Sequence, residues 1–587
     1  MSNFKTALIE DARIAMITDE EVYGVQSSAS QSTYQQFKAI STSNSSVVFN
    51  VQIPSENILI DRHVLLKSNL AITVSATGVP MGEGVEFQYG VNSSMQAFPL
   101  NSLMQTTQLT LNNVSTSTNT ADVLAPLMRM NDIREMARWN SLTPSLPDCQ
   151  YGAYGDALFT NNNPMAAFNT SGYDPEILPR GSFKVDVVVQ HQPAAGGPTD
   201  ASLISTSPND TWKFFISGTY TEPFLALSPF INTNPENQAG LVGINNLSLV
   251  LNIDATCKRV FSSSCHYITG VTLGNAGSGQ AGASPTGFSE TQLMFNFLSL
   301  QPEQYAKIST RNIVPYMDFP RYLTASGNNP TIPAYTQSSA ISSQSIQLNQ
   351  VPDMIIIVAR MPLGDQNWAN TSSFLAIKNI SVNFNNSSGL LATASQQDLY
   401  NLSVRNGSAQ SFYEFCGQAS TNDNATGGVT LVPTTGSVLV LNPCYDFSLP
   451  SYLSASSLGQ YQLQFNITLF NQFPDDIQPE IMIICCNSGL FSTQQGTSQI
   501  FTGILTKEQV LRTKEQNPVP HLDSAEYARL VGGKMSNRGM SSILGLLRHA
   551  GHHKQVGGAM SAGAASGGAA SGGAASGGHR SKASKHY

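Results

Sequence analysis

Ile377-Lys-Asn-Ile-Ser-Val-Asn-Phe-Asn385 reads with a period of two. Ile380, Val382 and Phe384 fall on one face, and Asn379, Ser381, Asn383 and Asn385 on the other. This is the pattern of a half-buried β-strand, apolar towards a core and polar towards water. Ile244-Asn-Asn-Leu-Ser-Leu-Val-Leu-Asn252 repeats it, with Leu247, Leu249 and Leu251 opposed to Asn246, Ser248 and Asn252. Leu111-Asn-Asn-Val-Ser-Thr-Ser-Thr-Asn119 is a weaker copy, with Val114, Thr116 and Thr118 in the apolar row. The matching Asn113, Asn246 and Asn379 are 133 residues apart. Two copies lie in the first of two β-rich blocks and one in the second, so the spacing does not mark three domains. It marks one β architecture reused along the chain, which suits a structural or binding protein better than an enzyme.

Around these copies the sequence divides into four parts. Residues 1–40 read as an N-terminal arm, with Phe4, Leu8, Ala12 and Ala15 at helical spacing. Residues 41–305 form a first β block, interrupted by an irregular insertion over 120–180. Residues 306–515 form a second β block. Strand-like runs separated by Gly, Pro and Asn turns, with few helices between them, predict two tandem β-sandwiches and not a parallel α/β sheet. Met354–Ala359 and Ile481–Cys486 are apolar throughout, six residues each. A bilayer needs about 20, so they are expected to be buried core strands.

After Thr506 the character changes, and residues 516–587 read as a C-terminal helical segment and a Gly/Ala/Ser-rich basic tail. Lys507–Lys514 and Asp523–Leu530 have helical composition, and from Gly557 the chain is Gly/Ala/Ser repeats. Such a segment cannot bury enough apolar surface to fold and is expected to be a flexible tether. From Lys534 onwards there are seven Lys or Arg, among them Arg548, Lys554, Arg580, Lys582 and Lys585, and no Asp or Glu. The whole 587-residue chain carries a net charge of −8, so a basic tail hangs from an acidic body. Charged residues are only 12%, against an ordinary proportion of about a quarter. The polar surface is therefore mostly amide and hydroxyl, which costs little to bury against a like surface when each group finds a partner.

Chemistry is sparse. The seven cysteines form no Cys-x-x-Cys pair, and without a secretory signal they are expected to stay reduced. Gly277-Ser-Gly-Gln-Ala-Gly282 matches a dinucleotide fingerprint by letter, but Ala283-Ser-Pro-Thr-Gly follows it where a helix is required. Cys257, Cys265 and His266 lack further ligands at zinc spacing. The adjacent carboxylates Asp475-Asp476 and Glu20-Glu21 sit in polar segments that read as turns or caps. No enzyme, cofactor or metal is expected. One short motif carries more. Leu530-Val-Gly532-Gly533-Lys534 lies where the β-rich body gives way to the tail, and it resembles the cleavage site of adenovirus-type maturation proteases. Paired glycines let an extended chain enter a narrow groove. A helix C-cap after Ala528-Arg-Leu530 reads the same letters equally well.

Pro99-Leu-Asn-Ser-Leu-Met104, Leu111-Asn-Asn-Val-Ser115, Leu127-Met-Arg-Met-Asn131 and Leu142-Thr-Pro-Ser-Leu-Pro-Asp148 resemble the first half of major capsid proteins of polinton-like viruses and virophages. Glu222-Pro-Phe-Leu-Ala-Leu-Ser-Pro-Phe230 and Gly240-Leu-Val-Gly-Ile-Asn-Asn246 do so too, and adenovirus hexons are more distant relatives of the group. The resemblance covers roughly residues 45–260. It implies a double jelly roll, all-β, with an N-terminal helical arm and a flexible C-terminal tail. It further implies homotrimeric, pseudo-hexameric capsomers that tile an icosahedral shell, with neighbouring capsomers and penton or minor capsid proteins as partners. The basic tail would face the viral genome and be removed by a maturation protease after Gly533. The protein would be made in the host cytoplasm and reside in the virion. The alternative is a virion attachment or lectin-type sandwich, which calls for exposed aromatics around a carbohydrate site. Trp139, Trp212 and Trp368 are scattered and suggest none.

Overall fold

The computed structural model describes residues 29–513 except 30, 56–57, 90–91, 132–135, 137, 146, 148–182, 195, 197, 232–239, 264, 276–285, 307–310, 369–371 and 424–427. In the first half, β1 (Gln31–Lys38), β2 (Ser46–Gln52), β3 (Leu65–Thr77), β4 (Met104–Leu111), β5 (Val114–Thr118), β6 (Thr211–Pro223), β7 (Asn246–Ile253) and β8 (Phe288–Ser299) build two sheets. One contains the order β1-β8-β3-β6 and the other β2-β7-β4-β5. In the second half, β9 (Asn312–Asp318), β10 (Ile346–Gln350), β11 (Met354–Arg360), β12 (Ala376–Phe384), β13 (Ser387–Leu390), β14 (Leu439–Leu441), β15 (Leu458–Phe470) and β16 (Glu480–Gln494) repeat the scheme. Their orders are β9-β16-β11-β14 and β10-β15-β12-β13. In each half the first strand pairs antiparallel with the last, the second with the seventh, the third with the sixth and the fourth with the fifth. A ribbon folded end to end and rolled over a core in this way is a jelly roll. The chain has two.

The repeated phrase sits at the heart of this arrangement. Leu247, Leu249 and Leu251 of β7 face Val51, Phe49 and Val47 of β2 in register, and all six are buried. Leu111 lies opposite Leu247, so the first two copies are side by side. The first copy is not one strand: Asn112 takes a positive φ of 54° and turns β4 into β5. In the third copy, period two places Ile377 with the polar residues, yet it is buried in the core. A bulge between Ile377 and Asn379 inserts Lys378 and rotates Ile377 inwards. Lys378 then lies over the Phe470 ring and donates to Gln396.

Two stretches differ from the sequence expectation. Residues 31–38, assigned to the arm, form β1, which pairs with β8 along its whole length. Gln-Ser-Thr-Tyr-Gln-Gln-Phe-Lys hides this, because an edge strand over a partly covered rim needs few apolar residues, and only Phe37 packs on the core. Residues 120–128, assigned to an irregular insertion, form a helix. Val123 and Leu127 pack on one side and Leu124 and Met128 on the other, which is the i, i+4 spacing of a helix buried on two faces. Most of the rest of that insertion, and the arm over 1–28, lie outside the described residues.

Candidate assembly elements: the joint between the rolls and the chain ends

A jelly roll can expose the outer faces of its sheets to water. In β11 and β16 both faces are dry. Ile355, Ile357 and Ala359 point into the core of the second roll, while Met354, Ile356 and Val358 point out of it. β16 does the same with Ile481, Ile483 and Cys485 inward and Met482, Ile484 and Cys486 outward. The outward set packs against Val123, Leu127 and Met130 and against Ala226 and Ile231 of the first roll. Burial on both faces is why these strands read as unbroken apolar runs. Each such aliphatic side chain contributes about 1.5–3 kcal/mol on leaving water, so this joint fixes one roll on the other.

Polar contacts close the joint at both ends. At one end, Asp122 of the Thr120–Met128 helix reaches Arg360 at the close of β11 and Arg321 of the second roll, each at 2.5 Å. Arg360 also donates through Nε to Glu480 at 2.6 Å. Two acids thus meet two bases in a mostly dry cluster. Arg129 pairs with Glu414 at 3.1 Å beside it, and the Arg129 carbonyl accepts from the Ala409 amide. At the other end, the turn after β16 lies on the β4–β5 turn. Asn112 donates to Ser498, and Asn113 accepts from the Ser498 amide. Thr493 donates to the Val242 carbonyl. The two rolls therefore stand side by side with corresponding ends together.

The described chain ends leave at this second, amide-rich end. Gln31 and Ile58 both lie opposite Ser299, and Ile60 bridges to Leu241. Helix Lys507–Arg512 follows Leu505, which bridges to Ser457 at the start of β15. The helix falls within the expected Lys507–Lys514 segment, of which Lys514 lies outside the described residues, and is opened by a reciprocal Thr506–Gln509 cap.

The candidate residues of the tail, Leu530, Gly532, Gly533, Lys534, Arg548, Lys554, Arg580, Lys582 and Lys585, lie outside the described residues. So do the glycines at 277, 279 and 282. Cys257 and Cys265 are buried free thiols, pushed up by burial, and His266 is exposed at 3.8 Å from Glu86. Among the described residues no cluster of three or more His, Cys, Asp or Glu could hold a metal. Asp476 accepts from the Ala334 amide and the Asp475 carbonyl from Asn471, which makes the pair a turn. Trp212 is fully buried, and neither Trp139 nor Trp368 is exposed. The joint residues Asp122, Arg321, Arg360 and Glu480 were not singled out by sequence. One signal existed: Arg360 directly closes an apolar strand, where a charge needs a partner.

The first roll matches the family model of the Sputnik virophage major capsid protein first domain over residues 2–298. The chain belongs to this family of virophage major capsid proteins. The second roll matches the major capsid protein V20 C-terminal domain over residues 319–489. Capsid protein V20 of Sputnik virophage is 26% identical over 535 residues, covering 89% of this chain and 84% of that protein. The cryo-EM structure of Sputnik virophage superposes with a TM-score of 0.74 at 23% identity, covering 90% of this chain and all of that one. The crystal structure of the mavirus major capsid protein gives 0.63 at 16% identity, over 88% of this chain and 99% of that one. The family is one of structural proteins of the virion, and the double jelly roll is its fold.

Proposed function

We propose that three copies of this chain form a capsomer of pseudo-hexagonal outline, and that such capsomers tile an icosahedral shell. The observation that carries this reading is the double roll itself. Two units of one strand order stand side by side with corresponding ends together, so a ring of three chains presents six like units to its neighbours. Penton or minor capsid proteins would complete the shell. Synthesis takes place in the host cytoplasm. Light scattering on the eluted protein tests the assembly: the expected mass is three times 62.9 kDa. A chain that stays monomeric at every concentration overturns the reading.

The tail belongs to the inner side of the shell in this reading. Its support is that both described chain ends, Gln31 and the Lys507–Arg512 helix, lie at one end of the body. Arg548, Lys554, Arg580, Lys582 and Lys585 then meet the genome as counter-charges, a contact weakened by salt. A maturation protease cuts after Gly533 and releases them. Intact mass of the chain from mature particles tests this. The expected C-terminus is Gly533, and Tyr587 in every copy refutes cleavage. The attachment or lectin reading has no support in exposed tryptophans.

A further inference from the structure

His191, near the end of the strand Asp186–Gln192, is fully buried. Its Nδ1 lies 2.7 Å from Asp200 Oδ1 and its Nε2 3.1 Å from Asp210 Oδ2. The Trp212 indole stacks on the ring at 4.9 Å between centroids and 20° between planes. An ionised carboxylate only accepts, so a ring held between two of them carries hydrogen on both nitrogens and is an imidazolium. Burial pulls its pKa down, but the contacts with Asp200 and Asp210 outweigh that and raise it above the ordinary value. No other charge faces the ring among the described residues. Lys213 alternates to the opposite side of the sheet from Trp212. Glu83 and Glu86, on the segment under the loop, act on Tyr267. Asp186 stands at the far end of the strand.

The two carboxylates are not alike. Asp210 is fully buried and accepts from the Ala194, Thr206 and Ser207 amides and the Thr206 hydroxyl. Burial alone would raise its pKa, but these bonds hold it well below the carboxylate range. Asp200 is half exposed and accepts from the Ser202 amide. Between them the chain makes a tip in which Leu203 and Ile204 stand in solvent beside Met81. The tip is tied to residues 82–85 by backbone bonds of Leu203 and Ser205.

We propose that His191 is a pH-operated latch, whose imidazolium pins residues 198–205 and their apolar tip to the end of the first roll away from Gln31. The proton that leaves is the one on Nδ1. Asp200 can turn to water, whereas Asp210 is fixed by four donors. The proton passes to solvent, and the Nδ1 lone pair then faces an Asp200 oxygen, so attraction becomes repulsion. The latch contributes fully below about pH 6.5 and is lost as pH rises through the higher folded-state value. Asp200 and Asp210, both held low, keep their charge down to acid pH, so the closed state spans the acid-to-neutral range.

Hydrogen–deuterium exchange of the full chain reads this directly, in peptides covering residues 193–211 and with intrinsic exchange rates corrected. Protection of the Ser202 and Ser205 amides, which donate to Asp200 and to the Glu83 carbonyl, is expected to fall at least ~10-fold between about pH 6 and pH 9 while the β7 core stays protected. His191→Gln removes the charge, so its loop is expected to be open and pH-independent. Asp200→Asn removes one carboxylate and lowers the midpoint. This second variant decides the matter even where His191→Gln fails to fold. Protection that is flat with pH in the native chain, or an Asp200→Asn midpoint equal to the native one, overturns the latch.

Discussion

Asp122→Ala is expected to destabilise the protein by about 3–5 kcal/mol and to uncouple the two rolls. Asp122 is the acid that two arginines of the other roll share. Removing it leaves Arg360 buried with Glu480 alone and Arg321 without its carboxylate. A buried charge deprived of its partner costs far more than the intact pair contributes. Because the acid belongs to the first roll and the bases to the second, the damage falls on the joint. Calorimetry is expected to resolve the native unfolding endotherm into two, one per roll. A variant with one transition and native stability would show that the apolar joint alone holds the rolls. The exposed i, i+4 pair Glu508–Arg512 is the control: Glu508→Ala should change stability by less than ~0.5 kcal/mol.

The contrast between those pairs also explains what could be read from sequence. The sandwich strands were legible because one buried face imposes period two, as in Leu247, Leu249 and Leu251. The apolar runs Met354–Ala359 and Ile481–Cys486 were legible as core. What lay against their second face was not, because an apolar run states burial and not its partner. β1 escaped notice since an edge strand can be held by backbone pairing alone, with Gln, Ser and Thr along it. The helix over Thr120–Met128 was obscured by its two-sided burial, which leaves Val123, Leu124, Leu127 and Met128 with no polar face to reveal a period. Single charges such as Asp122 carry no pattern at all. Their partner stands 238 residues away, and only the packed rolls bring it close.

Gly436→Ala is expected to be the most severe single-methyl change in the second roll. Gly436 takes φ +89°, and a Cβ there would stand 1.8 Å from the Phe374 carbonyl oxygen and 2.8 Å from Gln472 Nε2. Neither neighbour can yield. The Phe374 amide donates to the Thr435 carbonyl at 2.5 Å, and Gln472 donates to the Phe374 carbonyl at 2.7 Å. Gln410 holds the Gly436 carbonyl itself at 2.9 Å. Backbone handedness alone costs an L-residue about 1–2 kcal/mol. The overlap adds the loss of this buried amide network, which brings the expected total above ~4 kcal/mol. Gly389 separates the two effects. It has φ +72° and open space within 4 Å of its Cβ position, so Gly389→Ala should cost only the handedness term. Chemical denaturation of both variants gives the difference. If Gly436→Ala loses no more than Gly389→Ala, the backbone around Phe374 is free to move. The lead into β12 and β14 would then not be held rigid by the contact between Gly436 and Phe374.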